Sequence, residues 1–186
     1  LGVTIADVSG KGVPASLIMA TCRSVLRAKA ATGLSPAEVL KVVNGQIFPD
    51  IREDMFITMA YLILDGTSNM VTFARAGHNP PYVYRAQTSE IEAIEPVGMA
   101  VGIDSGGVFD RVVSDYELML NDGDVLLLYT DGVNEAENRH GLEFGDQAIQ
   151  DALKKFADHT AEGIISRLCD DLRAFVGPAD QSDDIT

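Results

Sequence analysis

The period of the apolar positions changes twice along this chain, from helical to alternating and back to helical. After a strand-like start (Leu1, Val3, Ile5), residues 13–31 carry Ala15, Leu17, Ile18, Met19, Cys22, Val25 and Leu26 on a broad apolar face, with Pro14 near the first turn. That spacing predicts an amphipathic helix. Ser35, Pro36 and Glu38 form a capping-box signature ahead of Val39, Leu40, Val42, Val43 and Ile47, predicting a second helix over 35–48.

Residues 56–64 are then rich in β-branched and aromatic side chains, and Asp65-Gly66-Thr67 separates them from a second apolar run at 70–74, which predicts a β-hairpin. Further short strands are expected at 81–85, 91–94, 111–120 and 124–129, set off by Gly, Pro, Asn and Asp. Helical spacing returns over 144–156 and 161–175, and a loop with Gly177 and Pro178 leads to the final acids. Helices flanking a mostly antiparallel centre imply an α+β domain of sheets covered by helices.

A length of 186 residues fits one domain. The chain opens at Leu1 inside an apolar stretch and stops at Thr186, and so reads as a piece of a larger polypeptide. No apolar run approaches the roughly 20 residues that span a bilayer, and the start lacks the order of a secretory signal. The segment reads as soluble and cytoplasmic, without membrane contact. A net charge of −14 argues against nucleic acid and anionic membranes as partners. Cys22 and Cys169 have no CxxC spacing and read as buried free thiols.

Acids far apart in sequence remain to be explained. Asp7 precedes Ser9-Gly10-Lys11-Gly12, where a tight turn would leave its carboxylate and the Val8 carbonyl exposed at a strand end. Asp131-Gly132 closes the apolar run 125–129, and Asp183 and Asp184 adjoin apolar Ile185. Taken singly, an Asp-Gly is an ordinary turn and an acidic pair can be a frayed tail. Carboxylates gathered at strand ends repel and lose hydration, so a hard cation is their usual justification. Oxygen ligands without His or Cys at ligand spacing favour Mg²⁺ or Mn²⁺ over Zn²⁺.

The segments ADVSGKGVPASLIMA, DMFITMAYLILD, ARAGHNPPYVY, PVGMAVGI, LNDGDVLLLYTDGVNEAEN with GLEFG, and QSDDIT occur in that order. As an ordered set they resemble the metal-dependent serine/threonine phosphatases of the protein phosphatase 2C type, in the bacterial branch typified by SpoIIE and RsbU. The resemblance implies a β-sandwich of two mostly antiparallel sheets flanked by helices (α-β-β-α layers), with two Mn²⁺ or Mg²⁺ ions at one end. It implies that Asp7 bridges both ions, that the Val8 carbonyl serves the second, and that Asp131 and Asp183 complete the first. It further implies that a metal-activated water held by Asp7, Asp131 and Asp183 would attack a phosphoserine or phosphothreonine.

The family's upstream acidic strand, with a GGDxxD-like motif, and its strand after DDIT are absent from this sequence. The expectation is a domain lacking the family's first and last strands, binding metal weakly unless the intact polypeptide supplies them. The resemblance also implies a phosphorylated protein substrate of the anti-sigma factor antagonist kind, an upstream sensor or receiver domain, and a homodimer as a further candidate assembly. Packing of the two early helices beside Asp7 would then gate metal binding.

Other residues read less specifically. His78 in AGHNPP is a turn-capping histidine or a substrate contact, Lys11 a surface turn residue, and Glu135 and Glu137 solvated loop acids; Arg75 has no account from sequence. The alternatives are a non-catalytic phosphatase-like binding module and a different two-metal hydrolase. The latter would usually add histidine ligands, whereas His78, His140 and His159 are not paired at ligand spacing.

Overall fold

The computed structural model describes residues 1–179, 181 and 183–186. They form two compact units, Leu1–His78 with Pro96–Met119, and Asn79–Glu95 with Leu120–Thr186.

The first unit holds an antiparallel sheet of four strands, β1 (Gly2–Val8), β2 (Ile57–Asp65), β3 (Met70–Ala76) and β6 (Tyr116–Met119), in the order β1-β2-β3-β6. Helices α1 (Val13–Ala30), α2 (Pro36–Ile47) and α3 (Phe109–Val112) belong to the same unit. Its core gathers Cys22 and Leu26 of α1, Val39, Leu40, Val43 and Ile47 of α2, and Ile57, Met59 and Tyr61 of β2. The second unit holds a three-stranded antiparallel sheet, β5 (Glu90–Ala93), β4 (Tyr82–Arg85) and β7 (Val125–Leu127), in that order. It also contains α4 (Asp131–Asn134), α5 (Gly145–Phe156) and α6 (Ala161–Val176), whose Ile149, Leu153, Phe156, Ile164, Leu168 and Leu172 pack with Tyr82 and Tyr129.

Local chemistry explains the boundaries. The capping box at α2 is complete: Ser35 N–H donates to Glu38 Oε2 at 2.8 Å and Glu38 N–H to Ser35 Oγ at 3.4 Å. In the β2–β3 hairpin the Asp65 carboxylate accepts from Thr67 N–H, the Thr67 hydroxyl and the Ser68 hydroxyl, which pulls its pKa down to about 2.

Two expectations are corrected. Residues 111–120 are not one strand. Asp104 Oδ1 accepts N–H bonds from Gly106, Val108 and Phe109, which winds the chain into α3 and leaves only β6 paired, against β3. These bonds, together with Arg111, hold the Asp104 carboxylate below its usual range. As expected, Asp7 and Val8 lie at a strand end, with β2 supplying partners through Thr58 and Ile57. Also against expectation, the apolar face of α1 is fully buried only at Ala15, Cys22 and Leu26 and partly at Ile18 and Val25, while Val13, Leu17 and Met19 stand exposed. Of the two thiols, Cys22 is buried and Cys169 half-buried, and both are free. No helix among the described residues is long and apolar enough to cross a membrane.

Candidate functional site

Asp7 and Val8 end β1 in the first unit, directly opposite Thr58 and Ile57. Beyond the ladder, Ser9 N–H donates to the Phe56 carbonyl at 2.9 Å and Phe56 N–H to Ser9 Oγ at 2.7 Å, so the strand is clamped just past Asp7. Gly10 (φ 88°) and Gly12 (φ 81°) then take left-handed backbone that turns the chain into α1, leaving Lys11 exposed between them.

In the same unit His78 is buried, and its Nδ1 lies 2.8 Å from Thr58 Oγ1. Sequence reasoning gave Arg75 no role, and the structure supplies one. Its Nη1 donates to the His78 carbonyl at 2.8 Å and its Nε to the Pro96 carbonyl at 3.0 Å. Gly98 passes so close that an added Cβ would stand 2.0 Å from the Arg75 carbonyl oxygen.

In the second unit, Asp131 does not end a strand; it opens the short helix α4, and Thr130 before it is buried. The Thr130 hydroxyl does not cap α4, because it is engaged by the C-terminal segment. It donates to the Asp184 carbonyl at 2.9 Å and accepts from Thr186 N–H at 3.1 Å, while Thr130 N–H donates to the Thr186 carbonyl at 3.2 Å. Gly132 admits that segment, since a Cβ there would lie 2.3 Å from the Asp184 carbonyl oxygen. The bond from Thr130 to Asp184 thereby brings together the segments that carry Asp131 and Asp183, about 50 residues apart in sequence.

Asp183 is exposed and its Oδ1 accepts from Asp184 N–H at 2.8 Å. Ser182 of the QSDDIT motif lies outside the described residues. Asp131 Oδ1 is buried and, among the described residues, has no hydrogen-bond partner. A carboxylate oxygen so placed loses hydration without replacement, which a cation corrects. The same negative field reaches Glu135: burial first, then Asp131, Glu143 and Asp183, push its carboxyl above the usual range. Glu135 and Glu137 are both exposed, and Glu137 bridges to Glu143 through backbone. Asn79 Nδ2 donates to Asn134 Oδ1 at 3.1 Å, tying Asn79 to the end of α4. No spacing rule in the sequence signals that pair. Among the described residues, no three His, Cys, Asp or Glu side chains form a metal-binding group by themselves.

A family model for Stage II sporulation protein E (SpoIIE) matches residues 1–186. The chain belongs to the SpoIIE family. Among curated relatives of this SpoIIE-family chain is the phosphoserine phosphatase RsbU of Bacillus subtilis (strain 168), 30% identical over 173 residues and covering 92% of the chain. The chain spans 50% of RsbU's length and about a third of two other curated relatives it matches. The SiaA-PP2C domain of Pseudomonas aeruginosa shares 22% identity with a TM-score of 0.82, over 99% of this chain and 71% of that one. A structure of RsbU and RsbW domains from Mycobacterium tuberculosis shares 28% identity with a TM-score of 0.76, over 99% of this chain and 49% of that one. The α+β fold of antiparallel sheets with helices is thus that of PP2C domains.

Proposed function

We propose that this chain is a metal-dependent protein phosphatase that hydrolyses phosphoserine or phosphothreonine on a regulatory protein, as the output part of a longer signalling polypeptide. The observation that carries the reading is Asp131 Oδ1, a buried carboxylate oxygen with no partner among the described residues, in a segment to which the Asp183-Asp184 backbone is strapped. Its donor chemistry fits a hard divalent cation, Mn²⁺ or Mg²⁺. Asp7, the Val8 carbonyl, Asp131 and Asp183 are the residues that would hold it. When bound, such cations lower the pKa of a water and neutralise charge on phosphoryl oxygens.

The remaining work belongs to the protein's own residues. The Ser9–Phe56 clamp fixes the strand end beneath Asp7. Thr130 and Gly132 hold the Asp183 segment against Asp131. The likeness to the phosphoserine phosphatase RsbU supports phosphoserine as the substrate group, and a phosphoprotein in sigma-factor control, the partner class that the motif resemblance implies, is proposed as its carrier. An anti-sigma factor antagonist is the specific partner proposed. The test is Mn²⁺-dependent hydrolysis of a phosphoserine peptide by the intact protein beside Asp7→Ala and Asp131→Ala. Loss exceeding the roughly 10- to 100-fold effect of a residue behind a metal ligand, with folding intact, is expected for both variants. Undiminished turnover in either would refute the assignment.

One observation favours a second reading. The described acids do not form a ready three-ligand group, as a non-catalytic phosphatase-like binding module would allow. That module predicts no hydrolysis with any divalent cation.

A further inference from the structure

His78 is 3% exposed, a buried imidazole to which the chemistry above assigns no task. Its Nδ1 lies 2.8 Å from Thr58 Oγ1, and Thr58 stands directly across the β1–β2 ladder from Asp7. Directly opposed side chains share one face of the sheet, with Cβ atoms about 4.5–5.5 Å apart. The ring cannot easily swing away. Arg75 Nη1 holds the His78 carbonyl at 2.8 Å. The preceding Gly77 (φ 71°) bridges to Met59, and a Cβ there would lie 2.8 Å from Ala100 N.

We infer that His78 is a positioning residue for Asp7, acting through the Thr58 hydroxyl; the inference rests on Asp7 being a metal ligand. The proton inventory decides how it works. A neutral imidazole carries one N–H and the threonine hydroxyl one proton. With the proton on Nδ1, His78 donates to Thr58 Oγ1, which frees the threonine proton to be donated toward the carboxylate opposite. With the proton on Nε2, Thr58 must donate to the ring and presents only lone pairs to Asp7, which repels it. The first tautomer orients Asp7 by donation and leaves its other lone pairs for a cation. Partners that orient metal ligands in this way typically account for about 10- to 100-fold in metal affinity.

The experiment measures Mn²⁺ affinity of the intact protein by the paramagnetic resonance signal of free Mn²⁺, with thermal stability recorded alongside. His78→Ala and Thr58→Val are each expected to weaken binding by about 10- to 100-fold, the double variant no further than the worse single, because both break one chain. His78→Asn, whose amide can donate to Thr58 from near the place of Nδ1, is expected to stay close to wild type. In an Asp7→Asn background neither change should have further effect. Variants at 58 and 78 that lose thermal stability yet keep wild-type Mn²⁺ affinity would overturn the inference, leaving His78 a core residue. If Asp7→Asn alone leaves affinity unchanged, the ligand reading of Asp7 fails, and the inference with it.

Discussion

Thr130 grips Asp184 by its backbone: the threonine hydroxyl donates to the Asp184 carbonyl at 2.9 Å while accepting the Thr186 N–H at 3.1 Å. A side chain that would ordinarily cap α4 is spent on holding the chain's last residues next to Asp131. Thr130→Val keeps the shape and removes both bonds. The expected cost is about 1 kcal/mol of stability in urea unfolding, with weaker Mn²⁺ binding as the Asp183 segment loosens.

Gly132 makes the same point sterically. Its backbone is not in the left-handed region, so the glycine is required by space alone, with the Asp184 carbonyl oxygen 2.3 Å from where a Cβ would sit. Gly132→Ala must expel the C-terminal segment or shift α4. Overpacking of this kind costs about 1–3 kcal/mol. Retained far-UV circular dichroism with lost Mn²⁺ binding is the expected pair of results; unchanged binding would show that the segment is not needed.

Much of the fold was legible in the sequence because its signals are local. Ser35, Pro36 and Glu38 announced α2, and the turn beginning at Asp65 announced the hairpin, since in each case the partners lie within three residues. What was missed depends on distant partners. Residues 111–115 have strand-like composition, but the Asp104 carboxylate, which takes N–H bonds from Gly106, Val108 and Phe109, winds the preceding chain into a short helix. The acids Asp7, Asp131 and Asp183 stood out as residues, whereas their supports did not. Thr58 for His78 and Asn79 for Asn134 are pairs 20 and 55 residues apart, which no spacing rule reaches.

Burial pushes the Cys22 thiol from its ordinary 9.0 up to about 11. The folded state therefore disfavours the thiolate that the unfolded chain forms more readily. Stability from this group is fully present below pH 9.0 and falls as pH rises toward about 11, by at most about 1.4 kcal/mol per pH unit. Urea unfolding between pH 8 and 11 should show that decline, and Cys22→Ser should flatten it. An equal slope in both proteins would place the effect elsewhere.

Asp124 is an acid-side counterpart. Its burial would raise the carboxyl, but N–H bonds from Ala86 and Asn121 and the Arg85 guanidinium at 3.0 Å outweigh that and hold it below the usual carboxylate range. Its stabilisation is present above the ordinary value of 3.8 and is lost as pH falls through the lower folded value. Asp124→Asn should flatten the acid limb of a stability profile below about pH 5, and should cost stability at pH 7. A profile identical to wild type would contradict the assigned bonding.

The reading of this chain as a phosphatase stands on carboxylates from its beginning, late middle and end serving one cation. The most direct measurement is a crystal of the intact protein soaked in Mn²⁺ and examined by anomalous scattering. The expected result is a peak bonded to carboxylate oxygens of both Asp7 and Asp131, lost in Asp131→Asn. A saturating soak with no peak at Asp131, or with one that Asp7 does not touch, would contradict it.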